Sequence, residues 1–93
     1  MFKLVITESY LKRARKFFAK HPQVLQQYEK MLQLLCINPQ HPALSLRRLH
    51  KLSGRLEGLF SVSINISYRV IINFIIRNDQ IVLIDIGSHD EVY

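Results

Sequence analysis

Three short stretches of this 93-residue sequence hold side chains that can move protons or grip anions: His50-Lys51-Leu52-Ser53-Gly54, Tyr68-Arg69, and Gly87-Ser88-His89-Asp90-Glu91-Val92-Tyr93. An imidazole titrates near neutral pH and serves as acid or base. A planar guanidinium holds two oxygens of one phosphate at once. Other chemistries find no support in the spacing. His21, His41, His50, His89 and the single Cys36 form no C-x-x-C or H-x-x-x-H set, so no metal site is expected. Neither G-x-G-x-x-G nor G-x-x-x-x-G-K-[ST] occurs, so no nucleotide cofactor is expected either. Cys36 falls late in a predicted helix with no base beside it and reads as a core thiol.

The elements that must position these stretches follow from hydrophobic period. Phe2 to Ile6 is a short apolar strand, and Thr7 is placed to cap a following helix with Glu8 in its first turn. Tyr10, Leu11, Ala14, Phe17 and Phe18 recur at helical spacing, while Lys12, Lys16 and Lys20 form a basic stripe beside Arg13. His21-Pro22 breaks this helix and opens a second. Val24, Leu25, Tyr28, Met31, Leu32 and Leu35 give the second helix its apolar face, and Asn38-Pro39 with His41-Pro42 ends it. From Leu46 to Leu52 the period becomes two, which predicts a short, basic edge strand. Phe60 to Ile66 alternates apolar and polar residues, as a strand with one buried face does. Tyr68–Ile76 and Ile81–Ile86 are apolar on both faces and flank Asn78-Asp79, which suits a two-residue hairpin turn. The expected class is α+β. An N-terminal strand and a two-helix antiparallel hairpin pack on a mainly antiparallel sheet of four to five strands, all within one domain spanning residues 1–93.

The net charge of +6 is unevenly spread. Residues 1–55 carry eleven Lys or Arg against Glu8 and Glu29, whereas residues 56–93 hold only Arg69 and Arg77 against five acids. A polyanion is therefore the expected partner of the first part of the chain. The lone cysteine, and an N-terminus that reaches Glu8 before a signal-peptide core would end, predict a cytoplasmic protein with no membrane partner.

The order of elements, with His-Lys-Leu-Ser-Gly at 50–54, Tyr68-Arg69 opening a hydrophobic strand, and Gly87 to Tyr93 at the end, resembles the RelE/ParE superfamily of bacterial toxins, in particular its YafQ-like branch. The resemblance runs over the whole chain, and its specific part is residues 49–93. It implies the toxin of a type II toxin–antitoxin system, a ribosome-dependent, metal-independent endoribonuclease of mRNA. Its partners would be a cognate antitoxin protein, the ribosome and mRNA, in a dimer or a heterotetramer with the antitoxin. Such cleavage needs the ribose 2′-OH to attack phosphorus, a base, an acid for the departing 5′-oxygen, and cations for the phosphorane.

By this resemblance His89 is the general acid, Arg69 grips the scissile phosphate, His50 is the base or orients the RNA, and Tyr93 stacks on a base. Lys12, Arg13, Lys16, Lys20, Arg47, Arg48, Lys51 and Arg55 would contact RNA or ribosome; charges guarding an edge strand explain the strand lysines and arginines equally well. The sequence departs from the YafQ-like pattern in one respect: Ser61 to Ser67 lacks that branch's additional His and nearby Asp. The general base is thereby left unassigned, with His50 the first candidate and Glu91 or a lysine of lowered pKa as lesser options. The alternatives are a ParE-like inhibitor of DNA gyrase and an inactive antitoxin-binding homologue. A two-residue turn at Asn78-Asp79 would set Arg69 opposite Ser88 and His89 opposite Tyr68, on different sheet faces. A bulge or a strand ending near Gly87 is then needed to bring them together.

Overall fold

The computed structural model describes residues 1–39 and 49–93. Strand β1 (Lys3–Ile6) runs into helix α1 (Glu8–Lys20). Thr7 caps that helix, its Oγ1 accepting from Tyr10 N at 3.2 Å. Glu8 in the first turn and Lys20 in the last complement the helix dipole. His21 ends α1, Pro22 opens a single 3₁₀ turn (Pro22–Val24), and α2 (Leu25–Ile37) completes the helical hairpin. The two helices are joined inside the core by a hydrogen bond between the Tyr10 and Tyr28 hydroxyls, 2.7 Å apart.

Strands β2 (His50–Lys51), β3 (Phe60–Ser63), β4 (Tyr68–Ile75) and β5 (Gln80–Ser88) then build a five-stranded sheet in the order β1-β5-β4-β3-β2. Only β1 with β5 is parallel. The chain ends in one helical turn, α3 (His89–Val92). Alternation puts Val62, Val70, Ile72, Ile81, Leu83 and Ile86 on the face that meets Tyr10, Ala14 and Phe17 of α1 and Met31, Leu32 and Leu35 of α2. The expected edge strand is present as β2, but Leu46, Arg47 and Arg48, like His41, lie outside the described residues. No described helix is long and apolar enough to cross a membrane.

Two local expectations are corrected. The strand begun at Phe60 stops at Ser63, and Ile66 is 97% exposed instead of facing the core. The cause is Asn65, whose Oδ1 accepts from the main-chain N–H of Ser67 and Tyr68 and so turns the chain before Ile66 can extend it. The β4–β5 hairpin likewise has no two-residue turn at Asn78-Asp79. Ile75 pairs with Gln80, so four residues connect the strands: a 3₁₀ turn (Ile76–Asn78) and Asp79 at φ 51°.

Of the bulge or strand ending expected near Gly87, the strand ending is there, since β5 stops at Ser88, while the bulge lies farther back, where the register shifts between Ile71 and Ile72. Ile72 faces Leu83 while Ile71 faces Asp85, which leaves Ile84 as the extra residue.

Candidate functional site

That register decides the geometry of the site. A four-residue connection alone would set Arg69 opposite Ile86, and the extra residue at Ile84 moves its partner to Gly87. On the other side Arg69 faces Ser63 of β3. Alternation from the core residues Val62 and Val70 then puts Ser61, Ser63, Arg69 and Gly87 together on the sheet face turned away from the helices.

His89 is not a strand residue. β5 ends at Ser88, and His89 opens α3 under a capping box: Glu91 N donates to Ser88 Oγ at 3.3 Å, and Ser88 N donates to Glu91 Oε1 at 2.9 Å. Gly87 is what lets α3 fold back so closely, since a Cβ there would stand 3.1 Å from Glu91 Cβ. The turn delivers Tyr93 to the face that carries Arg69. The Arg69 guanidinium carbon lies 5.8 Å from the centre of the Tyr93 ring, and the His89 ring meets the same aromatic edge-on at 4.3 Å. His89 is exposed, with Nδ1 3.5 Å from Asp90 Oδ1.

Arg69, His89 and Tyr93, three of the four expected catalytic residues, therefore form one cluster. The fourth, His50, is described by its main chain: it stands in β2 opposite Ser61, two residues along β3 from the Ser63–Arg69 pair. Arg69 Nε, Tyr93 OH and Ser61 Oγ are buried with no hydrogen-bond partner among the described residues. Unpaired buried polar groups are costly, and in an anion-binding site they are the groups a ligand or ordered water would satisfy. Arg55 is committed to the site in a way the sequence did not suggest, donating to the Tyr93 main-chain oxygen. With Leu52, Ser53, Leu56 and Tyr93 it lines a cavity of 270 Å³.

Glu91 is a poor general base. Its hydrogen bonds from the Ser88 main chain and hydroxyl hold its carboxyl below the usual carboxylate range, and those bonds occupy it. The S-x-x-E spacing at 88–91 carried that signal in the sequence.

The helical cations divide. Arg13, Lys16 and Lys20 line a cleft of 780 Å³ between α1 and the end of β5, together with His21, Asp85 and Glu91. Lys12 is exposed elsewhere on α1, and Lys51 is exposed on β2. Burial pushes the Cys36 thiol up, as befits an inert cysteine. No three His, Cys, Asp or Glu side chains among the described residues group closely enough to hold a metal ion.

No family model matches the sequence, and no curated protein matches it at a significant level. Its likeness is to solved structures. The YafQ structure from E. coli strain BL21(DE3) superposes with a TM-score of 0.80 at 14% identity, covering 100% of this chain and 99% of that one. A metal-bound toxin from Helicobacter pylori gives 0.79 at 19% identity over 100% of both chains. The toxin in a heterotetrameric YoeB-YefM toxin-antitoxin complex from Staphylococcus aureus gives 0.71 at 16% identity, over 96% and 98%. The fold is thus that of the RelE/ParE-type toxins. Within that class its arrangement is YafQ-like, from the first strand to the terminal helical turn.

Proposed function

We propose that this chain is the toxin of a type II toxin–antitoxin pair and an endoribonuclease that cuts mRNA on the ribosome without a metal ion. The observation that carries this reading is the convergence of Arg69 and His89 on Tyr93. An RNA base stacked at Tyr93 would bring its phosphate to Arg69, whose guanidinium offers a fork of donors to two nonbridging oxygens. The 2′-oxygen bonds to phosphorus while its proton passes to a base, for which His50 is the candidate. Arg69 neutralises the phosphorane, and the P–O5′ bond breaks as protonated His89 gives its proton to the leaving oxygen. A 2′,3′-cyclic phosphate and a 5′-hydroxyl result.

The antitoxin partner is supported by the YoeB-YefM heterotetramer among the matching folds and by a basic surface suited to an acidic, partly disordered segment. The test is expression without a partner, followed by primer extension on translated messages. New 5′ ends within reading frames are expected. Intact messages alongside inhibited DNA gyrase would transfer the chain to the gyrase-inhibitor class.

A further inference from the structure

The terminal element α3 is a single turn of helix, and a helix that short does not hold itself. Its start is fixed by the Ser88–Glu91 box, and its end falls on Tyr93. Tyr93 N donates to His89 O at 3.0 Å, which closes the turn on itself. The Tyr93 side chain adds little anchorage of its own: its hydroxyl has no hydrogen-bond partner among the described residues, and one flank of the residue borders the 270 Å³ cavity with Leu52, Ser53, Arg55 and Leu56. The hydrogen bond that reaches Tyr93 from another element comes from Arg55, whose guanidinium donates to the Tyr93 main-chain oxygen. Carbonyls at a helix end lack partners within the helix, and a cation is the favourable neighbour there.

Arg55 can serve as an anchor because its own main chain is fixed. It lies in the 3₁₀ turn Gly54–Leu56, which Gly54 opens at φ 68° and which is closed by Leu56 N donating to Ser53 O at 3.4 Å and Glu57 N donating to Gly54 O at 3.1 Å. Leu52 N donates to Leu59 O at 3.0 Å, so the β2–β3 pairing runs on to the base of this turn.

We propose that Arg55 is a positioning residue: its hold on the Tyr93 main chain sets the Tyr93 ring against the Arg69 guanidinium and the His89 imidazole, and ties all three to the β2–β3 connection that follows His50. The placing of Tyr93 stands on geometry alone, and its consequence for cleavage rests on the nuclease reading. Charge by itself would make Arg55 a phosphate contact, but the two roles ask different things of the side chain. One carbonyl oxygen needs a single donor at the right reach, which a lysine supplies, whereas a phosphate held in the plane of a fork needs the guanidinium.

The test uses the full chain carrying Arg55→Met, which keeps an unbranched stem beside the cavity and removes the donors, or Arg55→Lys, which returns one. The first readout needs no RNA. The Tyr93 and His89 rings meet edge-on at 4.3 Å, so each shifts the other's proton resonances. Arg55→Met should abolish most of the His89 shift, measured against Tyr93→Leu, and Arg55→Lys should keep it. The denaturation midpoint should stay in place in both, because only a local turn is released. In the second readout Arg55→Met is expected to lower single-turnover cleavage at saturation about tenfold with the salt dependence of RNA association unchanged, and Arg55→Lys to recover most of the rate. The proposal is overturned by a His89 shift that survives Arg55→Met, by Arg55→Lys behaving as Arg55→Met does, or by an unchanged cleavage rate with a reduced salt slope, which makes Arg55 a phosphate contact. If the wild-type chain cuts no message, the nuclease reading fails, and the His89 resonance still decides the role of Arg55.

Discussion

Tyr93 is the residue on which the site turns, because one ring receives both a guanidinium and an imidazole. If His89 protonates the leaving oxygen, His89→Ala should lower single-turnover cleavage by about 10² to 10⁴ with ribosome binding nearly unchanged. A pure binding defect would instead make His89 a substrate-positioning residue. Arg69→Ala should cost a similar factor, and Arg69→Lys should recover little, because a point charge lacks the fork and cannot lie across the aromatic in the same way. A buried pair gives a separate stability test. Tyr10 and Tyr28 share one hydrogen bond in the core, and burial raises the pKa of both. Tyr28→Phe should therefore cost about 1–3 kcal/mol by stranding the Tyr10 hydroxyl, while Tyr10→Phe with Tyr28→Phe should lie closer to the wild type. Chemical denaturation of the three variants decides it.

At the scale of elements, α3 is a hinge plate held by the Ser88–Glu91 box and by the missing Cβ of Gly87. Ser88→Ala should loosen it by the usual cap value of about 0.5–2 kcal/mol and reduce cleavage as His89 and Tyr93 fall out of alignment. Because the folded-state pKa of Glu91 is lowered, its support is complete above the ordinary carboxylate range and is lost as pH falls through the folded value. Glu91→Gln should keep the cap and remove that acid limb, read as near-ultraviolet dichroism of Tyr93 against pH. Gly87→Ala should fail differently, displacing α3 whatever the pH. Both helices and the alternation of β3 were legible in the sequence because they repeat a period that burial enforces. The connection at Ile76 to Asp79 was not, since an Asn-Asp pair suits several turns and the strand register chose among them. The same register explains why Arg69, His89 and Tyr93 could be picked by type while a two-residue turn put Arg69 and His89 on opposite faces. The bulge at Ile84, which carries no glycine or proline to announce it, and the departure of His89 from the strand together unite them.

Over the whole molecule, charge and site are arranged on separate surfaces: Arg13, Lys16 and Lys20 border the α1–β5 cleft, while Arg69 and Tyr93 occupy the sheet face turned from the helices. Lys16→Ala or Lys20→Ala should therefore weaken RNA or ribosome association and flatten its salt dependence, by a slope of about 0.7 for each single-strand phosphate no longer neutralised, with the saturating single-turnover rate preserved. The parallel pairing of β1 with β5 also governs when this protein can exist at all. Lys3 sits beside Gln80, so β1 waits for β5, the last of the described strands in chain order, before it has a strand partner. The residues that would do the cutting, His89 and Tyr93, follow that last strand. On the nuclease reading, a chain in synthesis would therefore lack its assembled site until β5 has been made and slots between β1 and β4, setting Arg69 beside the turn that carries His89 and Tyr93.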